Sequence, residues 1–288
     1  MISPVIIVGV DSSPASQTAL LWAAAEAAHR GRELLVVHVY DWRAAGSRVP
    51  LGGAYEQDAR ARAETIVAAA VADAEAASPS LTVRGEAVVG APGAVLIRAS
   101  EKAELVVVGS RGRGGIASLL LGSVSQQVAT HAAGPVAVVR GRTDITGGPI
   151  VVGVDGSAGA TEALRAAFDE AVARDAEIVA IRAYAPASPA LGLGVGPYVE
   201  DREQRRAGER ARLAEDVEPW LDKYPGVSIE QVVIDASAAN VLTGVSSTAQ
   251  LVMVGTRGHG GFAGLLLGSV GLQLLHHADC PVLVVRNP

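Results

Sequence analysis

Two stretches of this chain combine residue types and spacings suited to holding an anion. VVVGSRGRGGIASLLLGS at 106–123 runs from apolar residues through closely placed glycines into leucines, and VMVGTRGHGGFAGLLLGS at 252–269 restates it. Gly109 and Gly112 are followed, after nine intervening residues, by Gly122 and Ser123; Gly255, Gly258, Gly268 and Ser269 keep the same spacing. Glycine lets a backbone take positive φ and approach a ligand with no Cβ in the way. Successive bare N–H groups form an anion-binding concavity, and a helix starting beside them adds free donors and the positive end of its dipole. Gly122, Ser123 and Val124 stand where such a helix should begin. Phosphate is the expected guest.

Spacing also separates this pattern from better-known phosphate loops. A Walker A loop needs a lysine after its last glycine, and neither stretch contains one. A dinucleotide fingerprint needs its glycines directly after the first strand, whereas these follow a fourth apolar run and carry Ala117 or Ala263 in place of the third glycine. A loop of tight turns with no ligand is the competing reading. Recurrence at fixed spacing weighs against it.

The elements that must position these glycines are also written twice. IIVGVDSS at 6–13 returns as IVVGVDGS at 150–157, and the polar, glycine-rich GRTDITGGP at 141–149 lies between the copies. Domains are therefore expected at 1–141 and 148–288. In the first, apolar runs near 5–10, 33–40, 83–89, 104–109 and 135–140 alternate with alanine-rich stretches of helical spacing. Ala63, Ile66, Val67, Ala70, Val71 and Ala74 line one face of such a helix. The second domain repeats the pattern near 150–154, 177–184, 229–234, 250–255 and 281–286. Continuous apolar strands alternating with helices predict an α/β fold: two tandem doubly wound domains, each a five-stranded parallel sheet flanked by helices. Ser13 followed by Pro14 predicts the start of the first helix. Pro219 should kink or shorten the helix carrying Leu213, Val217, Leu221 and Tyr224. The segments 41–55 and 185–198 are long for connections and are expected to cover something or to move.

Bulk composition narrows the function classes. Of 288 residues, 49% are hydrophobic and 19% charged, which predicts well-cored globular domains. Mean hydropathy is +0.31, yet no run approaches the roughly 18 apolar residues of a membrane span. The opening MISPVIIVGV lacks a basic region and reads as a strand, so a cytoplasmic location is expected. Cys280 is the lone cysteine, which excludes an intrachain disulfide and a cysteine metal cage; it is read as a small buried apolar residue. A net charge of −6 argues against nucleic acid as a partner.

Taken together, VGVDSS and VGVDGS, the doubled G-x2-G-x9-G-S pattern and the closing GPVAVVR and CPVLVVR resemble the universal stress protein family in its tandem two-domain, ATP-binding form. Two lysines among 24 basic residues, with abundant alanine, agree with an actinobacterial-like, high-GC origin. The resemblance implies a stress-response regulator that binds ATP, with or without Mg²⁺, at the carboxyl edge of each sheet between strands one and four. That is the crevice any doubly wound sheet offers. By position, it assigns Asp11 and Asp155 to the adenosine portion and Val39 and Ala183 to the adenine slot. Gly112, Gly122, Ser123 and Val124 cradle phosphates in the first half, as do Gly258, Gly268, Ser269 and Val270 in the second. Helix capping is the alternative role for the two aspartates. The glycine loops contain no carboxylate to hold a metal or position water, so little or no hydrolysis is expected and no residue is assigned as catalytic. A slow ATPase or phosphotransferase and a scaffold without nucleotide are the other readings. The resemblance further implies pairing of the two terminal strands, giving an internal pseudo-dimer with homodimerisation open.

Differences between the copies predict a weaker second site. Arg111 and Arg113 become Arg257 and His259, GAPG at 90–93 becomes ASAA at 236–239, and histidine, unlike arginine, loses its charge above neutrality. His38 becomes Arg182, with neither assigned a role. His131, His276 and His277 are expected at helix C-termini.

Overall fold

The computed structural model describes residues 5–41, 53–112, 121–144, 147–184, 202–258 and 266–286. The first half contributes β1 (Val5–Gly9), α1 (Pro14–Arg30), β2 (Glu33–Tyr40), α2 (Gly53–Ala77), β3 (Val83–Val89), α3 (Pro92–Ala99), β4 (Leu105–Gly109), α4 (Ser123–His131) and β5 (Val136–Val139). The second half contributes β6 (Ile150–Gly153), α5 (Ala158–Arg174), β7 (Ile178–Tyr184), α6 (Arg202–Leu221), β8 (Ile229–Asp235), α7 (Ala238–Val245), β9 (Leu251–Gly255), α8 (Ser269–His277) and β10 (Val282–Val285).

The chain forms two compact units, one reaching Thr143 and the other spanning Asp144–Cys280. In the first, β1 pairs parallel with β2 and β4, β2 with β3, and β4 with β5. The order is β3-β2-β1-β4-β5. The chain thus leaves β1 to one side and returns on the other, opening a crevice at the carboxyl ends of β1 and β4. In the second unit β6 stands between β7 and β9 in the same way, with β8 beyond β7. Residues Pro281–Val284 pack with the first unit, where β10 runs antiparallel to β5 with Val282 opposite Val138 and Val284 opposite Val136. The β5 edge of this unit is therefore paired.

Local chemistry accounts for the helices that hold the site. The Ser13 hydroxyl accepts the Ser16 N–H at 3.1 Å, Pro14 opens α1, and Gly31 closes it at φ 61°. Ala19, Leu20, Ala23, Ala24 and Ala27 bury the inner face. On α2 the predicted stripe is apolar inward: Ala63, Val67, Ala70 and Ala74 are buried, and Ile66 and Val71 are half-buried. Pro219 sits in the last turn of α6, which ends at Leu221; Leu213 and Val217 are fully buried, whereas Leu221 is exposed. At the end of each sheet away from the crevice, buried Glu26 meets Arg30, and Arg30 and Arg32 meet Glu104. The counterpart uses Glu170, Arg174 and Gln250. Cys280 is buried, and no helix among the described residues is long and apolar enough to cross a membrane.

Candidate functional site

A cavity of about 430 Å³ opens at the carboxyl ends of β1, β2 and β4, and Asp11, Val39, Gly109, Gly112, Gly122, Ser123 and Val124 all line it. Its counterpart in the second half, about 190 Å³, is lined by Asp155, Ala183, Gly255, Gly258, Gly268, Ser269 and Val270. The residues singled out in each half are thus brought together around one space.

The glycines in these cavities have three different causes. A Cβ on Gly109 would stand 2.6 Å from the Ala15 carbonyl oxygen, and one on Gly255 would stand 2.5 Å from the Gly159 carbonyl carbon. These two glycines let α1 and α5 press on the strand ends. A Cβ on Gly112 would lie 2.5 Å from Asp11 Oδ2, and one on Gly258 would strike the Asp155 carboxylate. Among the described residues, Gly122 and Gly268 have no such cause. Their backbones are extended, at φ −78° and −70°, and a Cβ at either position would keep at least 3.4 Å from its neighbours. Positive φ, one of the two reasons given above for these glycines, is found at none of the six. The close-approach reason holds, against the protein itself at the first four.

The amides sort in a corresponding way. The N–H groups of Gly122 and Gly268, expected to face a ligand, donate to the carbonyls of Ser110 and Thr256 at 2.7 Å. That corrects their role: they close the loop across the helix start. The next three amides differ. Gly122 and Gly268 occupy the N-cap positions of α4 and α8 and offer no side-chain acceptor, so the first-turn donors that every helix leaves open are uncapped. Among the described residues, the N–H groups of Ser123, Val124 and Ser125, and of Ser269, Val270 and Gly271, have no acceptor. At the start of α1 and α5, by contrast, Ser13 and Ser157 supply caps.

The aspartates hold the turns that lead into α1 and α5. Asp11 Oδ1 accepts the Ser13 N–H at 3.0 Å, and Asp155 Oδ1 accepts the Ser157 N–H at 3.0 Å. The two serine hydroxyls then reach across to the carbonyls of Arg111 and Arg257, at 3.4 and 3.2 Å. Each turn after β1 or β6 is in this way tied to the loop after β4 or β9. His38, buried on β2, donates from Nδ1 to the Val10 carbonyl at 2.7 Å, and Arg182 is paired with Glu209 and Asp216. Both are structural. Arg111 and Arg257 line the cavities, whereas Arg113, His259, Ala117, Ala263 and most of 41–55 and 185–198 lie outside the described residues. Pro92 lines the first cavity and Ala238 the second, at the position where GAPG becomes ASAA.

Ser125 escaped the sequence reading. It is buried at the base of the first cavity and donates to the Gly109 carbonyl at 2.5 Å. Read as text, it is one polar residue in the run SVSQQ, and only its aim toward β4 sets it apart.

Crevice, uncapped helix start and loop tie, each present twice, define a class of tandem doubly wound α/β domains. Comparison with known proteins agrees. The universal stress protein family matches residues 4–140 and again 148–286. A universal stress protein of Mycolicibacterium smegmatis is 37% identical over 293 residues, covering 98% of this chain and 96% of that one. Another, from Mycobacterium tuberculosis, is 37% identical over 294 residues, with 98% and 97% covered. The crystal structure of a universal stress protein from Archaeoglobus fulgidus aligns over 100% of both chains with a TM-score of 0.74 at 20% identity, which speaks for the fold. The chain belongs to the universal stress protein family.

Proposed function

We propose that this protein is an ATP-binding universal stress protein in which nucleotide occupancy regulates a stress response, with little or no hydrolysis. The observation that carries the reading is the pair Gly122 and Gly268. Among the described residues, neither backbone conformation nor packing demands glycine there, and both glycines line their cavities beside uncapped helix amides. A ligand that fills this space with negative charge supplies the missing reason. The adenosine end would rest against Val39 or Ala183 and meet Asp11 or Asp155; the phosphates would take the amides of 123–125 or 269–271. Arg111 and Arg257 add positive charge at the rim. ATP, with Mg²⁺ if one accompanies it, supplies the phosphate charge these donors match.

Support for slow chemistry comes from the carboxylates. Among the described lining residues, Asp11 and Asp155 are the carboxylates, one in each cavity. One oxygen of each is held by a backbone N–H, and the other lies against Gly112 or Gly258. A carboxylate fixed in a turn is poorly placed to orient a water. The test is to denature purified protein and chromatograph the released nucleotide. ATP is expected from the unsubstituted chain, with more of it lost in Gly122→Glu than in Gly268→Glu and nearly all in the double variant. Release of no adenine nucleotide, and no uptake on adding ATP, would sink the reading.

A further inference from the structure

We propose that Ser125 is a positioning residue that makes the first cradle the tighter anion site, and that Gly271 leaves the second looser. This deepens the nucleotide reading above and rests on it. The two helices begin alike, Gly-Ser-Val, and differ at the third helical residue: Ser125 in α4, Gly271 in α8.

Ser125 is buried, and its hydroxyl donates to the Gly109 carbonyl at 2.5 Å. Gly109 is itself immobilised, since even a methyl group there would collide with the first turn of α1. The bond therefore ties the open end of α4 to a rigid platform formed by β4 and α1. That same platform carries the Asp11 turn and the loop through Arg111. Donors held where charge will sit need no rearrangement on binding, which is where preorganised sites gain affinity. α8 has no such tie. Gly271 brings no hydroxyl, and glycine in a helix adds backbone freedom to the turn whose amides must be aimed.

A serine at 271 needs Leu267 to give by a few tenths of an ångström. The nearest atom to a Cβ there is Leu267 Cδ1 at 3.0 Å, the end of a flexible side chain. In the first half the corresponding Leu121 coexists with Ser125.

The experiment is calorimetric titration of the full chain with ATP and, separately, with adenosine, which lacks the phosphates. In a Gly268→Glu background, where the first site alone titrates, Ser125→Ala should weaken ATP binding about fivefold to tenfold. Ser125→Thr, which keeps the hydroxyl, should restore it to within about twofold, and adenosine affinity should stay unchanged in all three. In a Gly122→Glu background, Gly271→Ser should tighten ATP binding at the second site by a similar factor. Unchanged ATP affinity in Ser125→Ala, or an equal loss for adenosine, overturns the assignment, as does Gly271→Ser with no gain. If the unsubstituted chain binds neither ligand, the nucleotide reading itself fails and takes this assignment with it.

Discussion

The two halves of this protein repeat the turn, the loop and the helix start around each cavity and diverge in what supports them. Beneath the first cavity, the middle of β2 carries His38, satisfied by a single bond to the Val10 carbonyl. Beneath the second, Arg182 reaches Glu209 at 2.6 Å and Asp216 at 3.0 Å and so ties β7 to α6. Phe168 of α5 stacks with Trp220 and with Tyr224, the Tyr224 hydroxyl donates to Asp169, and Lys223 lies over the Trp220 and Tyr224 rings. The duplicated turn, loop and helix start have thus been kept while their supports were rebuilt with different chemistry. A cradle that depends on amides tolerates a change of scaffold, provided the strand ends and helix starts keep their places.

The largest effect that would sharpen this comparison lies at position 182. Arg182 is buried, and its loss leaves Glu209, itself only 14% exposed, with Arg212 alone and takes one arginine from Asp216. Arg182→Ala should cost about 2–4 kcal/mol, since Arg212 still compensates part of the Glu209 charge, whereas His38→Ala should cost about 1–2 kcal/mol for one lost hydrogen bond and its small cavity. Denaturant unfolding of chains that keep a single tryptophan reads the second half through Trp220 and the first through Trp22. Equal costs would mean that the two supports are equivalent after all. The pair also carries a pH signature. Burial pushes the Glu209 carboxyl up, but the Arg182 hydrogen bond and the charges of Arg182, Arg212 and Arg205 outweigh it and hold the group below its ordinary value of 4.5. A depressed carboxylate stabilises the fold fully above its unfolded value, and that contribution fades as pH falls through 4.5 toward the lower folded value. Arg182→Ala should therefore flatten the acid limb of the second half's stability profile.

A smaller effect separates the glycines by cause. Gly109→Ala should destabilise by about 2–3 kcal/mol, because its methyl meets backbone that cannot yield. Gly122→Ala should change stability by less than about 1 kcal/mol, since its backbone is extended and its surroundings open. A large loss at Gly122 in thermal melts would return that glycine to packing and remove the observation on which the ligand reading stands. The contrast also marks what the sequence could convey. Strand positions were legible from apolar runs, and the start of α1 from Ser13 and Pro14, because those signals are local. The G-x2-G-x9-G spacing located both cavities for the same reason. The causes of the individual glycines were not legible. Gly109 answers to Ala15 and Gly112 to Asp11, about a hundred residues earlier in the chain, and both contacts exist only once the crevice has closed. Nor could the text disclose that the amides of Gly122 and Gly268 are spent on Ser110 and Thr256, or that Ser125 points at β4.

The smallest difference lies in the turn after the first strand of each half, where Ser12 faces Gly156 across the repeat. Both adopt left-handed backbone, Ser12 at φ 63° and Gly156 at φ 82°, between an aspartate and the serine that caps the next helix. An L side chain pays a steric penalty of about 1 kcal/mol in that conformation, and glycine pays instead in the entropy it loses on folding. The first term should win, because Ser12 is exposed and its hydroxyl packs against nothing that would offset the strain. Ser12→Gly is expected to stabilise the first half by about 0.5–1 kcal/mol, and Gly156→Ser to destabilise the second by a similar amount. Opposite shifts of matched size in thermal melts would make the turn one structure written in two residue types; shifts of the same sign would mean that the two turns, and the aspartates they aim, are held differently.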